Sequence, residues 1–110
     1  VQGLGGAFLE HIVYDDDAQV LSATLAEYLV PSAPDFPNIR AIMLEEKPSP
    51  INPLGIKGAG EGGVLPMGGL MANAVASALT SLAVEPKALP LSPLNIWHLI
   101  EAARRRLGAM

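Results

Sequence analysis

The chain contains no cysteine among its 110 residues. That excludes disulfides, a thiol nucleophile and iron–sulfur ligation within it, and says little about the compartment it works in. Charge is also scarce. Only 16% of the residues are Asp, Glu, Lys or Arg, and the net charge is -4. A surface of that sign argues against nucleic acid as a partner. Half of the residues are hydrophobic, which is apolar for a free-standing domain of this size. The composition therefore points to a piece of something larger, with a face meant to be covered. The length suits one small domain, and a compact chain of this size buries about two thirds of its unfolded surface. No basic leader precedes the apolar opening segment, and the chain starts at Val1. The expectation is no signal peptide and a natural N-terminus that lies elsewhere.

Glycine and proline, by contrast, are plentiful, at 11 and 10. Five of the glycines fall in Ile51–Gly63, the stretch INPLGIKGAGEGG. Glu61 is its only acid. An uncharged run from Gly62 to Val84 follows at once, with Pro66 near its start, a residue favoured in the first turn of a helix. The pattern reads as a glycine loop feeding a helix N-terminus, where free backbone N–H groups can hold an anion and glycine admits a ligand close to the main chain. Glu61 at that junction is either a helix-start charge or a catalytic base.

The remaining segments frame this loop. Val1–Tyr14 reads as a helix with Leu4, Phe8 and His11 or Ile12 on one face. Gly3, Gly5 and Gly6 would each cost it about 1 kcal/mol relative to alanine, so something must pack against them. His11 reads as a packed or surface histidine. Asp15–Gln19 reads as a solvated hairpin turn, because three carboxylates without the glycine and distal Glu of an EF-hand do not make a calcium loop. Gln19–Leu29 is expected to run from strand into loop, with SATLAEYL as a helical alternative. Pro31, Pro34 and Pro37 make an extended connector. Asn38–Glu46, apolar on both faces, reads as a buried strand, ended by Pro48, Pro50 and Pro53.

Val64–Leu82 reads as a helix with Gly68, Ala72 and Ala76 forming a smooth face. Its glycines, its polar residues and its flanking acids Glu61 and Glu85 argue against a membrane span. Glu85–Leu91 is a connector. Ser92 reads as an N-cap with Pro93 at the first helical position. Trp97, Ile100, Ala103 and Leu107 then form one stripe. Arg104, Arg105 and Arg106 suit the last turn of that helix, and Gly108 stops it.

Gly58-Ala59-Gly60-Glu61-Gly62-Gly63 matches GxGxxG, but prolines separate it from the preceding strand candidate, as a dinucleotide fold would not allow. Lys57 is followed by Gly58, so the stretch is not a Walker loop either. Without further information, a structural loop with a helix-start Glu stands beside the catalytic reading.

The stretches VQGLGGAFLEHIVYDDDAQVL, YLVPSAPDFPNI and SPINPLGIKGAGEGG, in that order, cover nearly all of the chain. With them the sequence resembles the C-terminal end of the molybdenum-binding large subunit of the xanthine dehydrogenase and aldehyde oxidase family, most closely the bacterial carbon-monoxide-dehydrogenase-type large chains. The resemblance implies an α+β fold: residues 1–110 form an incomplete part of a molybdopterin-binding domain, with two or three helices, a few strands and a Gly-rich loop.

It also implies that Glu61 lies beside the molybdenum and acts as the base in an oxidation of carbon monoxide, aldehydes or N-heterocycles. A water-poor pocket would raise its pKa towards the working range. Gly58, Gly60, Gly62 and Gly63 would line the cofactor with backbone, and Gln2 matches a family position near it. No metal ligand is expected in this chain.

The implied cofactor is molybdopterin, in the cytosine dinucleotide form, with molybdenum, bound only in the complete enzyme. The loops that hold it in relatives lie upstream and are absent here. The implied partners are the remainder of the large subunit and the iron–sulfur and flavin subunits, in the cytoplasm. In isolation the chain is expected to be inactive and to self-associate. The alternative is a non-catalytic remnant or interaction module packed on a partner subunit.

Overall fold

The computed structural model describes residues 1–36 and 38–108, so Pro37 of the proline connector lies outside the described residues. Three α-helices carry the fold: α1 (Gln2–Phe8), α2 (Met67–Ala78) and α3 (Pro93–Gly108). Short 3-10 turns lie at Ala33–Asp35 and Thr80–Leu82. Helix α1 packs on α2, and α3 packs on the turn that follows α2.

Helix α1 is half the length its apolar spacing predicts. The N–H groups of Leu9 and Glu10 both close onto the Gly5 carbonyl, at 2.8 and 2.9 Å, and the helix ends there. The next residues, Ile12, Val13 and Tyr14, favour extended backbone and pair across the acidic turn. Tyr14 bridges Val20 in antiparallel fashion. Leu21 N–H donates to the Val13 carbonyl at 2.8 Å, and Val13 N–H donates to Ser22 Oγ at 2.9 Å.

The turn itself is built by Asp15. Its Oδ1 accepts from the Asp17 and Gln19 N–H groups at 3.0 and 2.8 Å, and Ala18 takes a positive φ of 61°. This is the expected hairpin, closed by a side-chain oxygen in place of glycine. Thr24 then starts a single turn, with Tyr28 N–H on its carbonyl at 2.8 Å, so Gln19–Leu29 runs from the bridge at Val20 into a loop and SATLAEYL forms no helix.

The expected buried strand at Asn38–Glu46 does not form. Among the described residues the chain has no regular strand, only the Tyr14–Val20 bridge. Residues 38–48 are all exposed, with Met43 and Leu44 more than 80% so. The reason is physical. A strand exists only against a partner edge, and a strand apolar on both faces also needs a layer on each side. Neither is present along this segment. The three helices of the expected α+β fold fragment are present, and its strands are reduced, among the described residues, to the Tyr14–Val20 bridge with long irregular connections.

Helix α2 begins three residues later than expected, at Met67, with Pro66 as its N-cap rather than inside its first turn. The α3 start matches the sequence reading. Ser92 Oγ accepts from Asn95 N–H at 3.2 Å, and Pro93 is the first helical residue. Gly108 is still helical. Of the predicted α3 stripe, Ala103 is fully buried, Ile100 is half-buried, and Trp97 and Leu107 are about half exposed.

Glycine permits the close helix contacts. A Cβ at Gly3 would lie 2.7 Å from Met67 Cβ of α2, and one at Gly5 would lie 2.7 Å from Cγ of Pro31. Gly6 meets nothing within 4 Å. The core is small: Ala7, Val84, Leu91 and Ala103 are its buried apolar side chains. It is tied together by a 2.6 Å hydrogen bond from Leu91 N–H to the Ala7 carbonyl.

The consequence is a large surface. The accessible area is 8840 Å², where a compact protein of this mass exposes about 5,800 Å². The radius of gyration is 18.8 Å, against about 13 Å for a compact domain of this length. The excess of about 3,000 Å² is on the scale of what obligate subunit interfaces bury. No helix among the described residues is long and apolar enough to cross a membrane.

Candidate functional site

Residues 48–66 carry the candidate site. Pro48 to Ile56 fold into a compact turn. Gly58 and Ala59 then run as irregular backbone, and residues 60–66 form successive turns that lead into α2. Val64 N–H donates to the Glu61 carbonyl at 3.0 Å, Met67 N–H to the Val64 carbonyl at 3.1 Å, and Leu70 N–H to the Pro66 carbonyl at 2.8 Å. Glu61 thus sits two turns ahead of the helix, tied to it through its own carbonyl. No strand runs into the glycines, so the GxGxxG match has no dinucleotide-fold context here.

The Glu61 carboxylate is exposed. Among the described residues it makes no hydrogen bond and no ion pair; the ion pair present there joins Arg104 to Glu101 at 3.1 Å. The water-poor pocket expected around Glu61 is not built by this chain. Gly58, Gly60 and Gly63 face open space, with nothing within 4 Å of an added Cβ, and Gly62 meets only the Ala59 carbonyl oxygen at 3.8 Å. Among the described residues the N–H groups of Gly58, Gly60 and Gly63 donate to no backbone carbonyl. The segment therefore offers bare main chain and free donors beside a free carboxylate. A large anionic cofactor fits that chemistry, since backbone N–H groups can hold phosphate or pterin oxygens without a side chain in the way.

The tertiary structure brings a second element to this segment. Gln2, Gly3 and Gly6 of α1 share a surface cavity of about 400 Å³ with Val64, Leu65 and Gly68. Gln2 thus shares a cleft with Val64 and Leu65, three and four residues after Glu61. Glu10 lines the same cavity and accepts a 2.7 Å hydrogen bond from the Tyr28 hydroxyl. That bond, together with partial burial and the Glu10 charge, holds the Tyr28 phenol above its ordinary pKa.

A larger cavity of about 560 Å³ lies between the Glu85–Leu91 connector and α3, and is lined by His11 and His98 among others. No group of three His, Cys, Asp or Glu side chains able to hold a metal occurs among the described residues.

The sequence reading passed over Asn52. Its side-chain amide holds both backbone groups of Ile56, accepting from the N–H at 3.0 Å and donating to the carbonyl at 2.9 Å. The signal was present as Asn52-Pro53, a dipeptide that starts turns, followed by Gly55.

Comparison with known proteins places these features in a family. The model of the molybdopterin cofactor-binding domain matches residues 1–37. The chain is 38% identical over 97 residues to the 6-hydroxypseudooxynicotine dehydrogenase complex subunit gamma of Paenarthrobacter nicotinovorans, covering 88% of this chain and 12% of that protein. It is 32% identical over 99 residues to the nicotine 6-hydroxylase large subunit of the same organism, covering 87% of this chain and 12% of that protein. The crystal structure of quinoline 2-oxidoreductase from Pseudomonas putida 86 superposes with a TM-score of 0.83 at 39% identity, covering 91% of this chain and 13% of that one. The chain thus spans about an eighth of the length of these relatives, and its helices match part of a molybdopterin-binding domain. It is also 30% identical over 97 residues to the putative xanthine dehydrogenase molybdenum-binding subunit XdhA of Escherichia coli (strain K12), covering 87% of this chain and 12% of that protein, and it belongs with the molybdenum-binding subunits of the xanthine dehydrogenase and aldehyde oxidase family.

Proposed function

We propose that this chain is the part of a molybdenum hydroxylase that supplies the general base, Glu61, to the oxidation of an electron-poor ring carbon. The observation that carries the reading is the junction at residues 58–63. A single carboxylate stands among glycines of which Gly58, Gly60 and Gly63 meet nothing within 4 Å of an added Cβ and, among the described residues, donate to no backbone carbonyl, two turns before α2.

Molybdenum on molybdopterin, when bound, takes up the two electrons of the oxidation. Glu61 accepts the proton of the oxygen nucleophile, and Gly58, Gly60, Gly62 and Gly63 leave room for cofactor and substrate. Gln2 lines a cleft with Val64, three residues after Glu61, which supports its assignment to the cofactor side of the site. The cytosine dinucleotide form of the cofactor, the remainder of the large subunit and separate iron–sulfur and flavin subunits complete the proposed assembly. Names such as nicotine 6-hydroxylase and quinoline 2-oxidoreductase support a nitrogen heterocycle as the substrate class, with carbon monoxide and aldehydes as the other family substrates. In that assembly the rest of the subunit would enclose the exposed carboxylate.

In the complete enzyme, Glu61→Gln keeps the size and the hydrogen-bonding shape of the side chain and removes the basic site. Turnover falls by at least about a hundredfold, the scale of losing a general base, while molybdenum content stays near normal. Turnover within a few fold of the parent would remove Glu61 from the chemistry. It would favour the second reading, a non-catalytic module that packs on a partner subunit, which the exposed apolar segment 38–56 also supports.

A further inference from the structure

The loop that carries Glu61 is held at two points. Downstream, the Glu61 carbonyl accepts from Val64 N–H at 3.0 Å, which joins it to the α2 entry. Upstream, the hold is at Ile56, and it is made by one side chain. Asn52 Oδ1 accepts from Ile56 N–H at 3.0 Å, and Asn52 Nδ2 donates to the Ile56 carbonyl at 2.9 Å. The two bonds imitate a strand pairing within a single residue and fix which way the amide faces.

The turn beneath this clamp is equally specified. Gly55 N–H donates to the Asn52 carbonyl at 3.1 Å, and Ser49 N–H donates to the Gly55 carbonyl at 2.9 Å. Gly55 has a φ of 67°, where side chains are disfavoured, and Pro48 Cβ sits 2.8 Å from where a Gly55 Cβ would be. Between the two holds lie Lys57, Gly58, Ala59 and Gly60. Both of those glycines have nothing within 4 Å of an added Cβ, and among the described residues the span's one backbone bond is a long one, from Gly62 N–H to the Ala59 carbonyl at 3.5 Å.

We propose that Asn52 is a positioning residue for Glu61. By pinning both backbone groups of Ile56 it fixes the direction in which the backbone leaves Ile56 and so limits where Glu61 can stand. The proposal rests on the reading of Glu61 as the base. The next hold upstream is the Gly55 turn, so release of Ile56 adds only one residue to the span; what it frees is the direction in which the backbone leaves Ile56, and the carboxylate then samples more positions. A misplaced base costs rate without costing substrate affinity.

The test uses the complete molybdenum enzyme that contains this chain, with Asn52→Ala, Glu61→Gln and the double variant. Asn52→Ala is expected to speed amide hydrogen exchange in a peptide spanning 56–61 and to lower kcat by about tenfold, the scale of one or two lost hydrogen bonds. Molybdenum content and KM stay near the parent values. Because Asn52 acts through Glu61, the double variant is no slower than Glu61→Gln alone. Asn52→Asp keeps the acceptor for Ile56 N–H and loses the donor to its carbonyl. It provides a second loop measurement, with exchange between parent and alanine variant, should the alanine variant fold poorly.

Unchanged exchange and kcat in Asn52→Ala, with Glu61→Gln inactive, would overturn the positioning role alone. A double variant slower than Glu61→Gln by the full single-variant factor would show that Asn52 acts independently of Glu61, and would also overturn it. Near-normal turnover in Glu61→Gln would instead overturn the base on which the proposal rests.

Discussion

Adjacent glycines in α1 provide a controlled test of the packing. Gly5 and Gly6 share one helix, so replacing either with alanine brings the same intrinsic helical gain, about 1 kcal/mol. Their surroundings differ. Gly5 is buried, and its added Cβ would stand 2.7 and 2.8 Å from Cγ and Cδ of Pro31 and 2.5 Å from a Glu10 carboxylate oxygen. The Glu10 arm can swing away, but the proline ring cannot bend, so either α1 or the 29–32 segment must shift. Overpacking of this kind costs about 1–3 kcal/mol. Gly6 is exposed and meets nothing within 4 Å.

Gly6→Ala is therefore expected to stabilise the fold by up to about 1 kcal/mol, and Gly5→Ala to cancel that gain or lose about a further 1–2 kcal/mol. The gap corresponds to at least several degrees in the unfolding midpoint of a domain this small, at ~4–8 °C per kcal/mol. Thermal unfolding followed by circular dichroism reads it. Both variants and the parent must be compared at one protein concentration, since association shifts the midpoint. If Gly5→Ala melts as high as Gly6→Ala, the α1 contact with Pro31 does not exist as described and the reasoning fails.

Gly60→Val in the complete enzyme should lower molybdenum occupancy or turnover more than it lowers the unfolding midpoint, because the side chain meets no protein atom within 4 Å; full metal occupancy with an earlier melt would make the loop merely structural. The Asp35 carboxylate is held below its usual pKa by the Ser32 hydroxyl and backbone N–H. A group depressed in the folded state contributes stability above its unfolded pKa and loses it as pH falls through the folded value. Ser32→Ala should therefore reduce stability near neutral pH and leave it almost unchanged in strong acid, and an equal loss at both pH values in urea titrations would contradict the assignment. The chain by itself should elute larger than 11.5 kDa, because its excess apolar surface needs a cover and a symmetric dimer is the commonest closed form; sedimentation as a monodisperse monomer would argue against that.

Features closed by neighbouring residues follow from local sequence alone. Ser92 with Pro93 specified the start of α3, because the cap bond spans only three residues. Asp15 specified the hairpin turn through bonds to Asp17 and Gln19. The glycines after Lys57 marked where helix could not yet begin, and the family itself was legible in three stretches of residues. The turn at Asn52 was equally local and equally legible, from its Asn-Pro pair, and was passed over.

Everything that needs a distant partner depends on how the chain packs. The spacing in Val1–Tyr14 could not show that Ile12 to Tyr14 would leave the helix to pair with Val20 and Leu21. The apolar run at Asn38–Glu46 could not show that no edge would come to it, so a strand pattern remained irregular chain. Two of the three α1 glycines found their packing partners in Met67 and Pro31, residues far along the chain. The approach of Gln2 to Val64 arises from helix packing, which local patterns do not encode. The open surroundings of Glu61 have the same origin: a carboxylate's environment is set by what folds around it, and a sequence motif specifies only the carboxylate and the glycines beside it.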